Sequence, residues 1–515
     1  MQLSEPLAAG TVLGGGGTTG ATSDAYTRLL MWEATMTMRR GQSRLMRYRR
    51  AFEYYGSENV KPDELIQPLE INYLKATCEA HASFLWGQWE PVGRLVGWAV
   101  APRSGKGDKA TMADIDQWLS GLFDSSEETL FSAGLNQSIY GDAILKPRYH
   151  PELQVIVPES VLPEYFHVRW SNHDISEMRE VIISYPVDRN DALEEFGTKG
   201  NQRWSIAANG FATSFAVYWE QWTPMAHRVW IDDKCVIDEP NPFSAEGLPG
   251  IIPFVHIPNV RSGGEFFGTS DIEAVLALQD ELNKKMADSG DMIAYAAHPI
   301  VLIRKYFGKV ENLPVGPDSI WDMGRDGEAE YMSGGKPPID INVYIDRLLA
   351  IYQDLSYMPA AAFGRSDTAQ ASALALAMEM MPVTQRVGWK RLHWKQALIN
   401  YALYAARLAE QHGILPFPRR ELLKYVFVPT FAPVLPKDRA ATVMENISLV
   451  SGGLRTIKRA LEDMGERDAA TQALAVIAEL EMKIKMQADS VVGGKNAPGP
   501  GGSPDTGSVA RDAGK

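Results

Sequence analysis

Few stretches of this sequence carry residue types and spacings that could do chemistry. Gly15, Gly17 and Gly20 form a G-x-G-x-x-G pattern, which in other settings brings backbone against a dinucleotide pyrophosphate. That chemistry needs a strand before the glycines and a βαβ unit around them, and no strand-like run precedes Gly15. Ser104, Gly105, Lys106 and Gly107 make a short polar turn, not a G-x-x-x-x-G-K-[ST] phosphate loop. Arg386, Lys390, Arg391 and Lys395 interleave with Trp389 and Trp394, which resembles a nucleic-acid-facing stripe. A core helix whose basic side chains snorkel to its rim carries the same pattern. His167 and His173 lie close together, but no third ligand stands at metal spacing. There is no G-x-S-x-G nucleophile elbow and no H-E-x-x-H. The sequence therefore predicts no enzyme, no cofactor and no metal.

The composition sets the frame for any positioning scaffold. The chain has 515 residues, 45% of them hydrophobic and 22% charged, which is globular and long enough for two to four domains. A formal net charge of −13 argues against a protein that grips duplex nucleic acid over a broad basic face. Cys78 and Cys235 form neither a metal spacing nor a disulfide framework, so a reducing compartment is the default. No basic region precedes an apolar core at the N-terminus, and no apolar run approaches a membrane span.

The elements expected to hold these residues follow from periodicity. Residues 26–55 read as a helix with seven arginines (Arg28, Arg39, Arg40, Arg44, Arg47, Arg49 and Arg50) against Glu33 and Glu53. That is either a partner or nucleic-acid contact or a solvated face paired with acidic surface elsewhere. Residues 69–89 read as a helix with Gly87 as its C-cap candidate, and 112–140 as broken helix. Gly141 and Asp142 then open a strand, and 153–260 alternates in the manner of a β-rich region. Residues 369–411 read as a long helix that Pro382 kinks, KYVFVPTF as a strand, and 437–490 as three helical pieces. In the last piece Ala470, Leu474, Ile477, Glu481 and Ile484 form a packing stripe.

Residues 264–364 organise the rest. Ser270, Asp271, Ile272 and Glu273 form a capping box that predicts a helix start. Ile272, Val275, Leu276, Leu282, Met286 and Ile293 continue it at helical spacing until Pro299. A second helix follows Asp340, striped by Ile341, Tyr344, Ile345, Leu348, Ile351, Tyr352 and Leu355. Between them, short alternating runs broken by Gly and Pro predict hairpins. The first helix region holds six acids against Lys284 and Lys285, which suits either a solvated face or a wall past which a polyanion slides.

Six segments in this order resemble the portal proteins of tailed bacteriophages, of the siphophage type. They are INYLKATCEAHASFLWGQ, SIYGDAILKPRY, LPGIIPFVHIPN, FFGTSDIEAVLALQDELNKKMADSGDMI, TAQASALALAMEMMPVTQRVGWKRLHWKQAL and LVSGGLRTIKRALEDMG. Where the family often has Ser-Gly before the apolar run of the fifth segment, this chain has Ala371 and Ser372.

The resemblance implies an α+β portal fold. Residues 1–24 and 491–515 would be disordered ends. Residues 25–268 would form an α/β wing, 269–299 and 339–363 a two-helix stem, and 300–338 a small β-rich clip. Residues 364–371 would be a channel loop, 372–436 a long kinked helix returning to the wing, and 437–490 a helical crown. It further implies a dodecameric ring at the capsid vertex, a conduit for double-stranded DNA in genome packaging and ejection. The clip would dock the terminase large subunit and later a head-to-tail adaptor, and the ring would meet major capsid and scaffolding proteins in the virion, after assembly in the host cytoplasm. No membrane partner is expected. Gly364, Arg365, Ser366, Asp367 and Thr368 would face DNA, with Glu273, Asp280, Glu281, Asp288 and Asp291 as acidic channel-lining candidates. Trp321 and Tyr331 are the clip interface candidates. The alternative is a nucleic-acid-binding structural or adaptor protein of the virion that forms no channel.

Overall fold

The computed structural model describes residues 20–37, 43–57, 71–87, 95–103, 108–124, 126–171, 173–196, 215–232, 234–244, 250–261, 263–297, 300–304, 328–332, 341–365, 373–435, 439–464 and 469–493. The chain divides into two compact units, Met1–Leu435 and Pro436–Lys515, and its class is α+β.

The first unit is built on one helix. α10 (Met381–Gln411) buries Val383, Val387, Lys390, Trp394, Leu398, Tyr401, Ala405 and Ala409, a single stripe at three- and four-residue steps. Its alanines let it lie close on β2 (Asp142–His150) and β9 (Val255–Pro258), which form the sheet β3-β2-β9 with β3 (Val155–Val161). α3 (Tyr73–Trp86) and α5 (Glu127–Tyr140) complete this core, where the Trp86 and Trp394 rings meet edge-on at 4.7 Å. The pair β1 (Val96–Pro102) and β12 (Tyr425–Phe431) closes it, with α4 (Lys109–Gly121) packed alongside.

A second core lies under an antiparallel sheet of β4 (Phe166–Trp170), β5 (Met178–Asp188), β6 (Phe215–Trp222), β7 (Ala226–Ile231) and β8 (Lys234–Pro240). Val181, Ile183 and Trp222 point from one face onto Phe166, Phe254, Phe266 and Phe267, as strand alternation requires. α6 (Arg189–Phe196) follows β5 and packs Ala192 and Phe196 onto Ala216 and Ile231. Lys146 of β2 reaches Glu220 of β6 at 2.7 and 2.9 Å and ties the two sheets together. Burial alone would raise the Glu220 carboxyl, but Lys146 and hydrogen bonds from His227 and Trp222 hold it down at about 2.

α7 (Leu276–Ala297) and α8 (Ile341–Ser356) form an antiparallel pair. Tyr344 stands opposite Glu281, and Tyr352 joins the cluster around Ile272, Val275 and Leu276. Leu282, Ile345 and Leu348 are buried between them. Chain 298–340 is inserted between the two helices, and within it β10 (Ile300–Arg304) pairs antiparallel with β11 (Glu328–Met332). The second unit contains α12 (Arg439–Ser451), α13 (Ile457–Asp463) and α14 (Ala469–Gly493).

Several expected boundaries move. α1 (Gly20–Thr37) is already helical across 20–24, within the stretch expected to be disordered. α7 starts at Leu276, six residues after Ser270. Ser270 Oγ accepts from the Ile272 amide at 3.3 Å and donates to Ser138 O, so the local hydrogen bonds of a cap are spent elsewhere. α8 ends at Ser356, and Ala360–Phe363 is a separate 3₁₀ turn. The long helix is broken, not kinked. α9 (Ala373–Glu379) stops before Met380, and Pro382 sits in the first turn of α10, where its missing N–H costs nothing. α14 runs to Gly493, past the expected start of the tail. The turn at 104–107, Gly15, Gly17 and residues 494–515 lie outside the described residues.

Candidate functional site

Asp271 is the point where five segments meet. α5 ends at Gly141, whose φ of +92° is left-handed and whose amide donates to Gln137 O at 3.0 Å. The backbone of Gly268 crosses there so closely that a Cβ on it would lie 2.2 Å from Gly141 O. Asn259, just after β9, donates its amide to the same carbonyl at 2.8 Å. This crossing delivers Asp271 into the protein interior at the foot of α7.

There the Asp271 carboxylate accepts from Ser138 Oγ at 2.6 Å, Asn259 Nδ2 at 2.8 Å and Arg386 Nη2 at 2.9 Å, and from Lys390 Nζ. Its own amide donates to Ser138 O at 3.0 Å. Burial alone would raise its carboxyl, but Lys390, His81 and Arg386 outweigh that and hold it well below the carboxylate range. Lys390 is wholly buried, and burial lowers its ammonium against the pull of Asp271. His81 of α3 donates Nε2–H to the carbonyl of Ser356, the last residue of α8, at 3.0 Å. Burial lowers its imidazole to about 4, with Lys390 adding to the shift and Asp271 opposing it. One ionic cluster thus fixes the start of α7 and the end of α8 to α3, α5 and α10.

A second buried network holds the N-terminal helices. Arg44, first residue of α2 (Arg44–Tyr55), donates to Glu33 of α1 at 2.5 Å and to the carbonyls of Pro163 and Phe166 at 2.7 and 2.9 Å. Its guanidinium lies 4.4 Å from the centre of the Phe267 ring. His167 donates Nδ1–H to Glu33 at 3.1 Å. Tyr48 donates to Asp142 Oδ2 at 2.5 Å, and His256 donates to Asp142 Oδ1 at 2.7 Å. Asp142 also accepts the Gly268 amide at 2.8 Å, which links this network to the glycine crossing.

Neither network offers a nucleophile to a substrate. Ser138 Oγ is engaged with Asp271, and burial pushes the Cys78 thiol up. Among the described residues, no group of three or more His, Cys, Asp or Glu could hold a metal ion. None of the described helices is long and apolar enough to cross a membrane.

The basic stripe of α10 is consumed in this architecture. Arg386 and Lys390 serve Asp271, and Arg391 donates to the carbonyls of Leu85 and Ala432, both at 2.8 Å. Of the four, Lys395 alone is exposed. The N-terminal arginines are dispersed likewise. Arg44 is buried, Arg47 donates to Thr37 O, Arg49 pairs with Glu53, and Arg50 lies over the Tyr54 ring. Arg39 and Arg40 fall outside the described residues.

The acidic candidates are only partly brought together. Glu273 is exposed on the turn before α7. Asp280 accepts from Tyr54 Oη at 2.6 Å, Glu281 lies 3.4 Å from Tyr344 Oη, and Lys285 bridges Asp288 at 2.9 Å and Glu281 at 4.0 Å. Asp291 is half-buried one turn beyond Asp288. Asp271, counted by sequence among the helical acids, is neither helical nor exposed, because Arg386 and Lys390 neutralise it in the interior.

Gly364 takes φ +73° and closes the 3₁₀ turn, its amide donating to Ala361 O at 3.0 Å. Nothing lies within 4 Å of a Cβ built there, so its left-handed backbone alone accounts for glycine. Arg365 is exposed, with its guanidinium 5.9 Å from the Tyr73 ring centre. Ser366, Asp367, Thr368 and Trp321 lie outside the described residues, and Tyr331 stands on β11 across from Val301.

The sequence signal for the Asp271 cluster was Lys390. A lysine within the buried stripe 383, 387, 390, 394 demands a buried anion. Apolar side chains, by contrast, are exposed beyond the cluster. Tyr344, Ile351 and Leu355 are exposed along one edge of α8, and Met378, Met381, Trp389 and Leu392 line the outside of α9 and α10. No protein-family model and no curated protein matches this chain.

Proposed function

We propose that this chain is a portal protein of a tailed bacteriophage, a non-enzymatic subunit of a ring through which double-stranded DNA enters and leaves the capsid. The observation that carries this reading is the α7–α8 pair. It is clamped at one end by the Asp271 cluster, interrupted at the other by the 298–340 insertion, and left with an apolar edge exposed along its flank. Contiguous exposed apolar surface marks an interaction site. A stripe on α8 and a different stripe on α9 and α10 suit a heterologous, head-to-tail contact, and such contacts close into rings.

In this reading α7 and α8 are the stem, and 300–338 is the clip that meets the terminase large subunit and then the head-to-tail adaptor. Residues 364–371 form the channel loop, 25–268 the wing and 437–490 the crown. Asp280, Glu281, Asp288 and Asp291 give the stem a negative character that keeps a polyanion from adhering, an effect that salt screens beyond about 8–10 Å. Arg365 offers each loop a single phosphate contact. Few fixed contacts suit a conduit, because each one adds to binding through counterion release. The adaptor reading without a channel is weakened, since its basic stripe on α10 is largely spent on internal partners.

Native mass and negative-stain electron micrographs of the purified chain test the proposal. The expected particle is a closed ring with a central hole, many times the 57.0 kDa subunit, that neither hydrolyses ATP nor cuts DNA. A monodisperse monomer at micromolar concentration and moderate salt overturns it.

A further inference from the structure

We infer that Arg261, His256 and His393 form a binding site for inorganic phosphate that still carries one proton. His256 belongs to β9, the outer strand of the sheet β3-β2-β9. Arg261 follows that strand, and His393 comes from α10.

The first observation is a cation without a counter-ion. Arg261 is half-buried. Its Nε donates to the Phe266 carbonyl at 3.1 Å, and its guanidinium lies 5.8 Å from the centre of the Phe266 ring. Among the described residues no carboxylate lies within 4 Å of it, and its two terminal nitrogens have no partner. Burial lowers the guanidinium, and Asp142 opposes that from a distance. Asp142 is already engaged by Tyr48, His256 and the Gly268 amide. A desolvated guanidinium in this position calls for an anion from outside the chain.

The second observation is a buried acceptor without a donor. The His256 ring lies face to face on Phe266, with centroids 4.3 Å apart and planes 10° from parallel. Its Nε2–H is given to Asp142, so the lone pair sits on Nδ1. The side chain is 3% exposed, yet Nδ1 has no hydrogen-bond partner. Burial lowers this imidazole, with Asp142 opposing and Arg261 adding to the shift, so the ring is neutral at neutral pH. His393 is half-buried too. Burial lowers it, and the charges of Arg261 and His256 add to the shift, which puts the three basic groups in one neighbourhood.

The ligand must therefore accept from a guanidinium and donate to a neutral imidazole. The hydrogen phosphate dianion does both, because at neutral pH it keeps one P–OH. Its remaining oxygens accept from Arg261 and from the one N–H of His393. Sulfate has no proton to give. A phosphomonoester has largely lost its second proton at pH 7, since that group titrates near about 6. The phosphodiester backbone of DNA has none. A water on Nδ1 would satisfy His256 but leave the Arg261 charge unanswered.

The test follows thermal unfolding of the full-length chain at neutral pH and fixed ionic strength while the anion is varied. Inorganic phosphate is expected to raise the midpoint in a saturable way, as a ligand of the folded state does. Sulfate, a nucleoside 5′-monophosphate and a duplex oligonucleotide are expected to bind several-fold more weakly. Arg261→Gln should abolish the phosphate response, whereas Lys395→Gln, exposed on the same helix as His393, should keep it. Equal shifts with phosphate and sulfate, tighter binding of either nucleotide arm, or a response that persists in Arg261→Gln overturns the site. If Arg261→Gln loses helix content, His393→Gln is read by calorimetric phosphate titration instead. A several-fold weaker Kd upholds the site, and an unchanged Kd overturns it. These readouts need no ring, so their failure leaves the portal reading untouched, and a monomeric particle leaves the phosphate site untouched.

Discussion

The Asp271 cluster and the outer edge of α8 lie in the same unit and invert the usual rule of burial. The cluster is charged and wholly inside. The edge carries Tyr344, Ile351 and Leu355 and is outside. Each reports a different kind of incompleteness. The buried charges are complete within one chain, since the Asp271 oxygens take donors from Ser138, Asn259, Arg386 and Lys390. The apolar edge has no such closure among the described residues. The lesson is that internally satisfied polarity marks where the chain has decided its own geometry, and exposed apolar surface marks where it needs another surface.

The sharpest way to break this contrast is Asp271→Ala. It leaves Lys390 and Arg386 buried without their anion, and truncating one partner of a buried pair costs about 3–5 kcal/mol. Denaturant unfolding should show that loss, and adding Lys390→Met should restore much of it. A single-mutant loss no larger than at a surface site would mean the cluster fixes nothing.

Acid should act on the same cluster. The unfolded chain takes up the His81 proton near pH 6.5, and the folded chain only near pH 4. Between those values the unfolded state holds more protons, so stability rises with pH across the window and is fully present above it. The loss from pH 6.5 down to about 4 is on the order of 3 kcal/mol. Asp271, held well below 3.8 in the folded chain, adds slope of the same sign only below about pH 5, where the unfolded carboxylate begins to take up its proton. Unfolding midpoints measured in this window should flatten in His81→Gln. An unchanged slope would assign the acid sensitivity to another group.

Gly141→Ala tests the crossing that delivers Asp271. Its φ of +92° is strained for alanine, and the new methyl would meet the Thr269 carbonyl carbon at 2.6 Å. Strain of that kind costs about 1–3 kcal/mol, readable as a lower melting temperature.

The smallest effect on the subunit should come from the apolar edge. Leu355→Glu is expected to change the stability of the isolated chain by no more than about 0.5 kcal/mol, as exposed substitutions usually do. The same change should abolish the large particle in native mass measurements. Normal assembly of Leu355→Glu would remove the edge from the interface.

Much of the fold was legible in local pattern. α3 with its cap at Gly87, the strand opening at Asp142, the β-rich region and β12 follow from periodicity and turn chemistry. What local pattern misread was decided by distant residues. Ser270 to Glu273 satisfy every local rule for a helix start, yet Ser138, Arg386 and Lys390 draw Asp271 inward, and α7 begins only at Leu276. The arginines of α2 likewise looked like one basic face, because nothing within 26–55 shows that Arg44 caps the carbonyls of Pro163 and Phe166. Of the candidate site, the acids of α7 were found by composition, whereas the cluster that aims α7 was not.

The spacing of the Asp271 cluster along the chain has a consequence for synthesis. Ser138 precedes Asp271 by 133 residues, Lys390 follows it by 119, and His81 and Ser356 are 275 apart. At roughly 5–20 residues per second, the polymerising ribosome exposes Asp271 for about 6–24 s before Lys390 exists. During that interval the carboxylate has no buried cation, so the foot of α7 stays solvated while α8 is made, although His81, the partner of its last residue, already exists. The first turns of α10, which carry Arg386 and Lys390, therefore decide when the pair locks, and a nascent chain stalled before Arg386 should carry two helices that are formed but not yet aimed.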